Sequence, residues 1–199
     1  VIPKDYALSP VYPNPFNSTA TIEVFINSSN INTSLFIVDI TGKKVSLGEA
    51  KGENGLLVIF SCNTCPWVIK WEDRYVELAK KYQSKGVGMI ALNSNETTFE
   101  SSDSMDEMKK HAKENDYNFY YARDDGSKLA REFGATRTPH VYLFNAKDQL
   151  VYRGAIDDNA IQKKVKKPYV ADAIDAMLAG NTIKYASTKA LGCGIKFKD

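Results

Sequence analysis

One stretch constrains this chain more than any other: Leu56-Leu57-Val58-Ile59-Phe60-Ser61-Cys62-Asn63-Thr64-Cys65-Pro66-Trp67-Val68. An apolar run of strand type stops at a turn carrying two cysteines, and a helical pattern begins at once. From Pro66 onward Val68, Trp71, Tyr75, Leu78 and Tyr82 recur at spacings of three and four, one face of an amphipathic helix predicted over residues 66–83. Proline suits the first helical position, where the amide it lacks would be unpaired anyway. Cys65 is then the N-cap, its sulfur beside the free first-turn amides and the positive end of the helix dipole. That placement stabilises a thiolate, the reactive form of cysteine. Cys62, three residues earlier, lies within disulfide reach across the turn. The pattern points to thiol chemistry.

The chain of 199 residues is long enough for one domain with a proper core and an appendage. Twenty-six basic against twenty-four acidic residues give a net charge of +2, so the balance implies no polyanionic partner such as nucleic acid. No apolar run approaches the roughly 20 residues that cross a bilayer. Three cysteines are too few for a disulfide scaffold, and the odd count leaves at least one without an intrachain partner. The chain opens at Val1 rather than Met, which fits the removal of a leader.

Along the chain, Ser9-Pro10-Val11-Tyr12-Pro13-Asn14-Pro15-Phe16-Asn17 is dense in turn formers and predicts irregular backbone. Thr19-Ala20-Thr21-Ile22-Glu23-Val24-Phe25-Ile26 reads as a strand and Asn27-Ser28-Ser29-Asn30 as a polar loop. The expected division is therefore an N-terminal β arm over residues 1–34 and a main domain over residues 35–199. In the main domain, residues 35–39 form a strand. Residues 56–60 and 86–93 are apolar on both faces and belong at the centre of a sheet. A helix capped by Asp103 or Ser104 runs through Met105, Met108 and Ala112, followed by a short strand over 118–122 and a short helix over 126–133 closed by Gly134. Val141-Tyr142-Leu143-Phe144 and Leu150-Val151-Tyr152-Arg153-Gly154 make a hairpin, and a last helix over 167–179 stops at Gly180. This order predicts an α/β fold with a central mixed β-sheet flanked by helices.

Together with Thr138-Pro139 just before the hairpin, the order of elements resembles the thioredoxin-like fold, in the redoxin branch shared with peroxiredoxins. The likeness is nearest to a group with a Cys-Asn-x-Cys-Pro turn. Its further motifs stand here as Ile90-Ala91-Leu92-Asn93-Ser94-Asn95, Tyr152-Arg153-Gly154-Ala155-Ile156-Asp157-Asp158 and Gly192-Cys193-Gly194-Ile195-Lys196. Laid on a thioredoxin, Cys65 falls on the nucleophilic cysteine and Val68 on the second, so the partner thiol has moved to Cys62. Laid on a peroxiredoxin, Cys65-Pro66 matches the peroxide-attacking cysteine and its proline. Cys62 then replaces the peroxide-binding threonine, and Pro139 stands where the activating arginine belongs. Both replacements remove groups that would stabilise charge on the peroxide oxygens. Thr138-Pro139 matches the cis-proline loop that abuts the active cysteine and holds the substrate's backbone, a cis bond being feasible because the residue is proline. Separately, Tyr12-Pro13-Asn14-Pro15-Phe16-Asn17 with Asp39-Ile40-Thr41-Gly42-Lys43-Lys44-Val45 resembles the start of sorting domains carried at the C-terminus of secreted Bacteroidetes-type proteins. Here the run stands at the front, and the plainer reading is an arm packed on the main domain.

These features imply a thiol-disulfide oxidoreductase with Cys65 as the attacking thiol and Cys62 as the resolving one. Protein or small-molecule disulfides would be its substrates, a thiol electron donor its partner, and no cofactor is expected. Thr138, Pro139 and Trp67 are expected at the substrate. Alternatives are a peroxidase acting through Cys65, and a non-catalytic binding protein that keeps a structural disulfide. Cys193 reads first as a tail or strand cysteine outside the redox chemistry, with resolution of Cys65 or pairing between chains as the alternatives. Cys62, Cys65, Cys193 and His140 lack a second compact ligand pair, which argues against zinc. His140 reads as a half-buried imidazole and His111 as solvated on a charged helix face. The Lys163, Lys164, Lys166 and Lys167 cluster reads as a solvated face, and the aromatic run from Tyr117 to Tyr121 as strand packing. The sorting-type run favours a periplasmic or secreted location over a cytoplasmic one.

Overall fold

The computed structural model describes residues 36–198; the arm expected over residues 1–34, with its proline-rich run and its strand, lies outside them. The described chain runs β1 (Ile37–Asp39), β2 (Lys44–Val45), α1 (Leu47–Ala50), β3 (Gly55–Ser61), α2 (Pro66–Ile69), α3 (Glu72–Tyr82) and β4 (Val87–Asn93). It continues through α4 (Met105–Glu114), β5 (Tyr120–Arg123), α5 (Lys128–Phe133), β6 (Arg137–Thr138), β7 (His140–Asn145), β8 (Leu150–Gly154), α6 (Tyr169–Leu178) and β9 (Cys193–Gly194).

Seven of these strands form one sheet in the order β2-β1-β5-β4-β3-β7-β8. β3, β4 and β5 are parallel neighbours, while β7 runs antiparallel to β3 and β8 antiparallel to β7. Every residue of β3 is buried, as an apolar run without alternation requires of a central strand covered on both faces. Alternation along the strands sends Leu57, Ile59, Val141, Leu143 and Tyr152 to one face, against Val68, Trp71, Tyr75 and Leu78 and against Val170, Ala173 and Ile174 of α6. Leu56, Val58, Phe60, Ile90 and Leu92 go to the other, against Leu47 and Ala50 of α1 and Leu129, Ala130 and Phe133 of α5. Met108 and Ala112 of α4 pack on Ala91 and Tyr121. The mixed sheet flanked by helices is the expected α/β architecture, and it brings the C-terminal end of β3 beside the N-terminal end of β7.

A second, two-stranded sheet pairs β6 antiparallel with β9, placing Thr138 opposite Cys193 and Arg137 opposite Gly194. This pairing, between segments more than fifty residues apart in sequence, had no local signal. It decides what stands over the cysteine turn.

Candidate active site

The single helix expected over residues 66–83 is two helices. Pro66 opens α2 with Cys65 at the N-cap, and the Ile69 amide donates to the Cys65 carbonyl at 3.1 Å. The chain then breaks at Lys70 and Trp71, where the Trp71 backbone leaves the helical region at φ −122°. The break follows from what Trp71 must reach. Its indole Nε1 donates to Asp157 Oδ1 at 2.7 Å, and Arg74 pairs with the other carboxylate oxygen at 3.0 Å. Both partners of this ion pair are buried, so their fixed geometry outweighs the uninterrupted ladder that periodicity alone favours. The Cys65 sulfur makes no hydrogen bond to the first-turn amides, and the dipole behind it is that of one turn rather than five.

The turn itself is held from below by a buried polar network. Asp103 is fully buried and its carboxylate accepts from the Asn63 amide at 2.9 Å, Asn93 Nδ2 at 2.8 Å, Thr98 Oγ1 at 2.6 Å and Asn95 Nδ2 at 3.4 Å. Asn63 reaches back through its own side chain, donating to the Ser102 carbonyl at 2.8 Å and accepting from the Tyr121 hydroxyl at 2.8 Å. A buried carboxylate survives because each lone pair is met by a donor. The Asn93-Ser94-Asn95 motif thereby acquires a reason: it ties the end of β4 to the turn. Ser104, not Asp103, caps α4, accepting from the Glu107 amide at 3.3 Å. Sequence reading missed Asp103 as a positioning residue; three polar residues ending an apolar central strand were the available signal.

Above the turn stands Thr138-Pro139, joined by a cis peptide bond. Both turn cysteines touch Thr138: Cys62 Sγ lies 3.5 Å from its hydroxyl and Cys65 Sγ lies 3.2 Å from its carbonyl oxygen. Cys65 is bonded to Cys193, with their Cα atoms 6.1 Å apart, and Cys62 is a buried free thiol. The state seen is therefore not the Cys62–Cys65 pair expected from spacing: Cys193, read first as a tail or strand cysteine, is bonded to Cys65. The reason is the β6–β9 ladder, which carries Cys193 across Thr138 to Cys65 while Cys62 sits behind, at the end of the central strand. Burial pushes the Cys62 thiol up, the Thr138 hydroxyl and the amides of Cys65 and Thr64 pull it part of the way back, and the Asp103 charge adds to the rise. Cys62 is thus kept protonated in neutral solution.

The tail approaches closely because Gly192 has no side chain. A Cβ on Gly192 would stand 2.2 Å from the Thr138 carbonyl oxygen and 3.1 Å from Pro139 N. Arg137 Nη1 donates to the Gly192 carbonyl at 3.2 Å, and the Ile195 amide donates to the Thr136 carbonyl at 3.1 Å. Upstream, Thr188 is fixed on β8: its hydroxyl receives the Ala155 amide at 3.0 Å and contacts the Tyr152 hydroxyl at 2.7 Å. Gly154 permits that contact, since a Cβ there would meet Thr188 Oγ1 at 2.2 Å. Downstream, the Lys196 amide donates to Asn95 Oδ1 at 2.9 Å, so the tail leans on an asparagine whose own side-chain amide donates to Asp103.

Trp67 is 37 % exposed, stacked on Trp71 at 5.6 Å between ring centroids, with the Lys70 ammonium 5.0 Å over its ring. His140 is half-buried beside the Tyr142 hydroxyl at 3.3 Å; burial, helped by the Arg153 charge, lowers its pKa to about 4. His111 departs from expectation. Rather than being solvated, its Nε2 meets the carboxylate of the buried Glu72 at 2.7 Å, because α3 and α4 turn these two faces toward each other. Lys163, Lys164, Lys166 and Lys167 are exposed. Among the described residues no group of three His, Cys, Asp or Glu is placed to hold a metal ion, and no helix is long and apolar enough to cross a membrane.

Comparison with known proteins places this geometry. The model of the Redoxin family matches residues 27–172, which include Cys62, Cys65 and Pro139 and end before the tail carrying Cys193. The thiol-disulfide oxidoreductase ResA of Bacillus cereus is 24% identical over 161 residues, covering 79% of this chain and 85% of that relative. The solved structure of an uncharacterised conserved protein from Geobacillus kaustophilus is 32% identical, covers 82% of this chain and 88% of its own, and superposes with a TM-score of 0.77. A thioredoxin-like protein from Aeropyrum pernix shares the fold at a TM-score of 0.56 and 16% identity, over 76% of this chain and 92% of its own. With the larger part of its length matched, and with its cysteine turn seated under a Thr-Pro loop, the chain belongs to the Redoxin family and is an oxidoreductase with a thioredoxin-like fold.

Proposed function

We propose that this redoxin exchanges disulfides with protein substrates through Cys65, with Cys193 closing the cycle and Cys62 as a third, reserve thiol. The observation that carries the reading is the Cys65–Cys193 bond lying directly against Thr138-Pro139. In the reduced protein the Cys65 thiolate attacks one sulfur of a substrate disulfide. A new sulfur–sulfur bond forms, the old one breaks, and the departing sulfur leaves with the electron pair and takes up a proton. A second thiolate of the protein then attacks the Cys65 sulfur, so that an internal disulfide forms, the mixed disulfide breaks, and the substrate sulfur leaves with the electron pair and takes up a proton. The β6–β9 ladder, which sets Cys193 opposite Thr138, supports Cys193 as the thiol of that step. Cys62 enters by attacking Cys65 from the strand side, giving a Cys62–Cys65 bond and freeing Cys193. Its raised pKa makes this the slower branch. Thr138, Pro139 and the exposed face of Trp67 form the surface that a substrate meets.

The name of the Bacillus relatives supports the reaction class. A persistent disulfide suits an oxidising compartment, so a periplasmic or secreted location is part of the proposal, with a thiol reductant as partner. The test is reduction of insulin disulfides by wild type and by Cys65→Ser, with thiol trapping to follow each cysteine. Loss of turnover in Cys65→Ser is expected; unchanged turnover would refute the assignment.

A further inference from the structure

The β6–β9 pair has the form of a bound ligand. β6 is a two-residue edge whose ladder partner is the protein's own tail, and that tail is an extended segment that lays a cysteine sulfur on Cys65. Strand addition to an open edge is a general way of holding extended peptides, with backbone bonds giving affinity and side-chain pockets giving specificity. We infer that residues 192–195 are a built-in copy of the substrate: the site takes, in their place, an extended polypeptide whose reactive cysteine follows a glycine and precedes an apolar residue at the second position after it. This rests on the thiol-exchange reading above and specifies its substrate class.

Each position of the rule comes from a contact. Gly192 precedes the cysteine where a Cβ would stand 2.2 Å from the Thr138 carbonyl oxygen and 2.6 Å from its carbon. Both are backbone atoms that cannot swing aside, so glycine is required there for reasons of space. Gly194 follows the cysteine with nothing within 4 Å of an added Cβ, so that position accepts larger residues. Ile195 is 8 % exposed and enters the cluster built by Phe60, Leu129 and Phe133, a pocket that selects an apolar side chain. The reaction balances without another reagent in its first half. The Cys65 thiolate bonds to the peptide's cysteine sulfur, and the group formerly attached to that sulfur departs as a thiolate. The peptide is then held where Cys193 is held now. A second thiol, Cys62 or an added dithiol, takes Cys65 and releases the peptide as a thiol.

The test uses the full chain carrying Cys193→Ser, so that Cys65 is free of its internal partner. Three probes are compared by the release of thionitrobenzoate: the hexapeptide Leu-Gly-Cys-Gly-Ile-Lys with thionitrobenzoate on its cysteine, the same peptide with alanine for the glycine, and the free aromatic disulfide. The glycine peptide is expected to react about tenfold or more faster than the alanine peptide, the effect of one methyl forced into a packed backbone contact. Adding Gly192→Ala to the protein should accelerate the glycine peptide, because the same clash lifts the tail from β6. Equal rates for the two peptides, with the aromatic disulfide still reacting, would overturn the inference while leaving the thiol-exchange reading intact. Failure of all three probes would overturn both.

Discussion

The two sulfurs that flank Cys65 stand on opposite kinds of scaffolding. Cys62 continues the central strand and rests on a closed set of buried polar groups, Asp103, Asn63, Asn93 and Tyr121. Cys193 lies on a strand of two residues, held by one short ladder and preceded by Gly192, whose lack of a side chain lets it lie against Thr138. The first wall resists movement because displacing any member orphans buried donors and acceptors. The second yields at the cost of a few backbone bonds that water can replace. A thiol exchanger needs both: a fixed wall to aim the attacking sulfur, and a movable one to admit a partner.

The largest effect should come from breaking the fixed wall. Asp103→Ala removes the acceptor for four donors, three of them side-chain or backbone groups within 3 Å, and is expected to destabilise the fold by about 3–5 kcal/mol. Urea unfolding of the oxidised protein measures this; a loss under 1 kcal/mol, roughly that of an ordinary hydrogen bond, would show the network to be slack. Opening the movable wall comes next. Cys193→Ser removes a cross-link between positions 128 residues apart and should cost about 2–4 kcal/mol. In the reduced wild type, alkylation should mark Cys65 and Cys193 well before Cys62, whose burial holds it as the thiol. Cys62 labelling first would invert the comparison.

Acid gives a smaller and more selective probe. His140 pairs with Phe60 across β7 and β3, on the fixed side. Its folded pKa of about 4 lies below the usual 6.5, so between these values the unfolded chain binds the proton more tightly. Its contribution is therefore complete above pH 6.5 and is lost as pH falls toward 4, by up to about 3 kcal/mol. His140→Gln should flatten this limb of the stability profile. An unchanged acid limb would assign it to other groups.

Much of the fixed wall could be read from the sequence, because its logic is local. An apolar run, a Cys-Asn-Thr-Cys-Pro turn and a helix stripe follow one another, and the thioredoxin-like order of elements placed Pro139 above them. The helix break at Trp71 could not be read, since it depends on a carboxylate 86 residues away. The pairing of Cys193 with Cys65 stood among the sequence's alternatives but not first: proximity in sequence favoured Cys62, whereas a two-residue ladder sets Cys193 against Cys65. The same blindness hid the Glu72–His111 contact, where two helices that each look amphipathic bring polar edges together.

One consequence follows from the anchoring of the tail on both sides of Cys193, by Thr188 on β8 and by Lys196 on Asn95. Cutting the disulfide does not cast the tail loose; it leaves a tethered competitor whose effective concentration at Cys65 is set by a few residues of slack, on the order of millimolar for short flexible links. Any visiting polypeptide bids against that standing occupant. Brief visits would therefore be the rule, and a partner that lingers must grip the protein somewhere else as well.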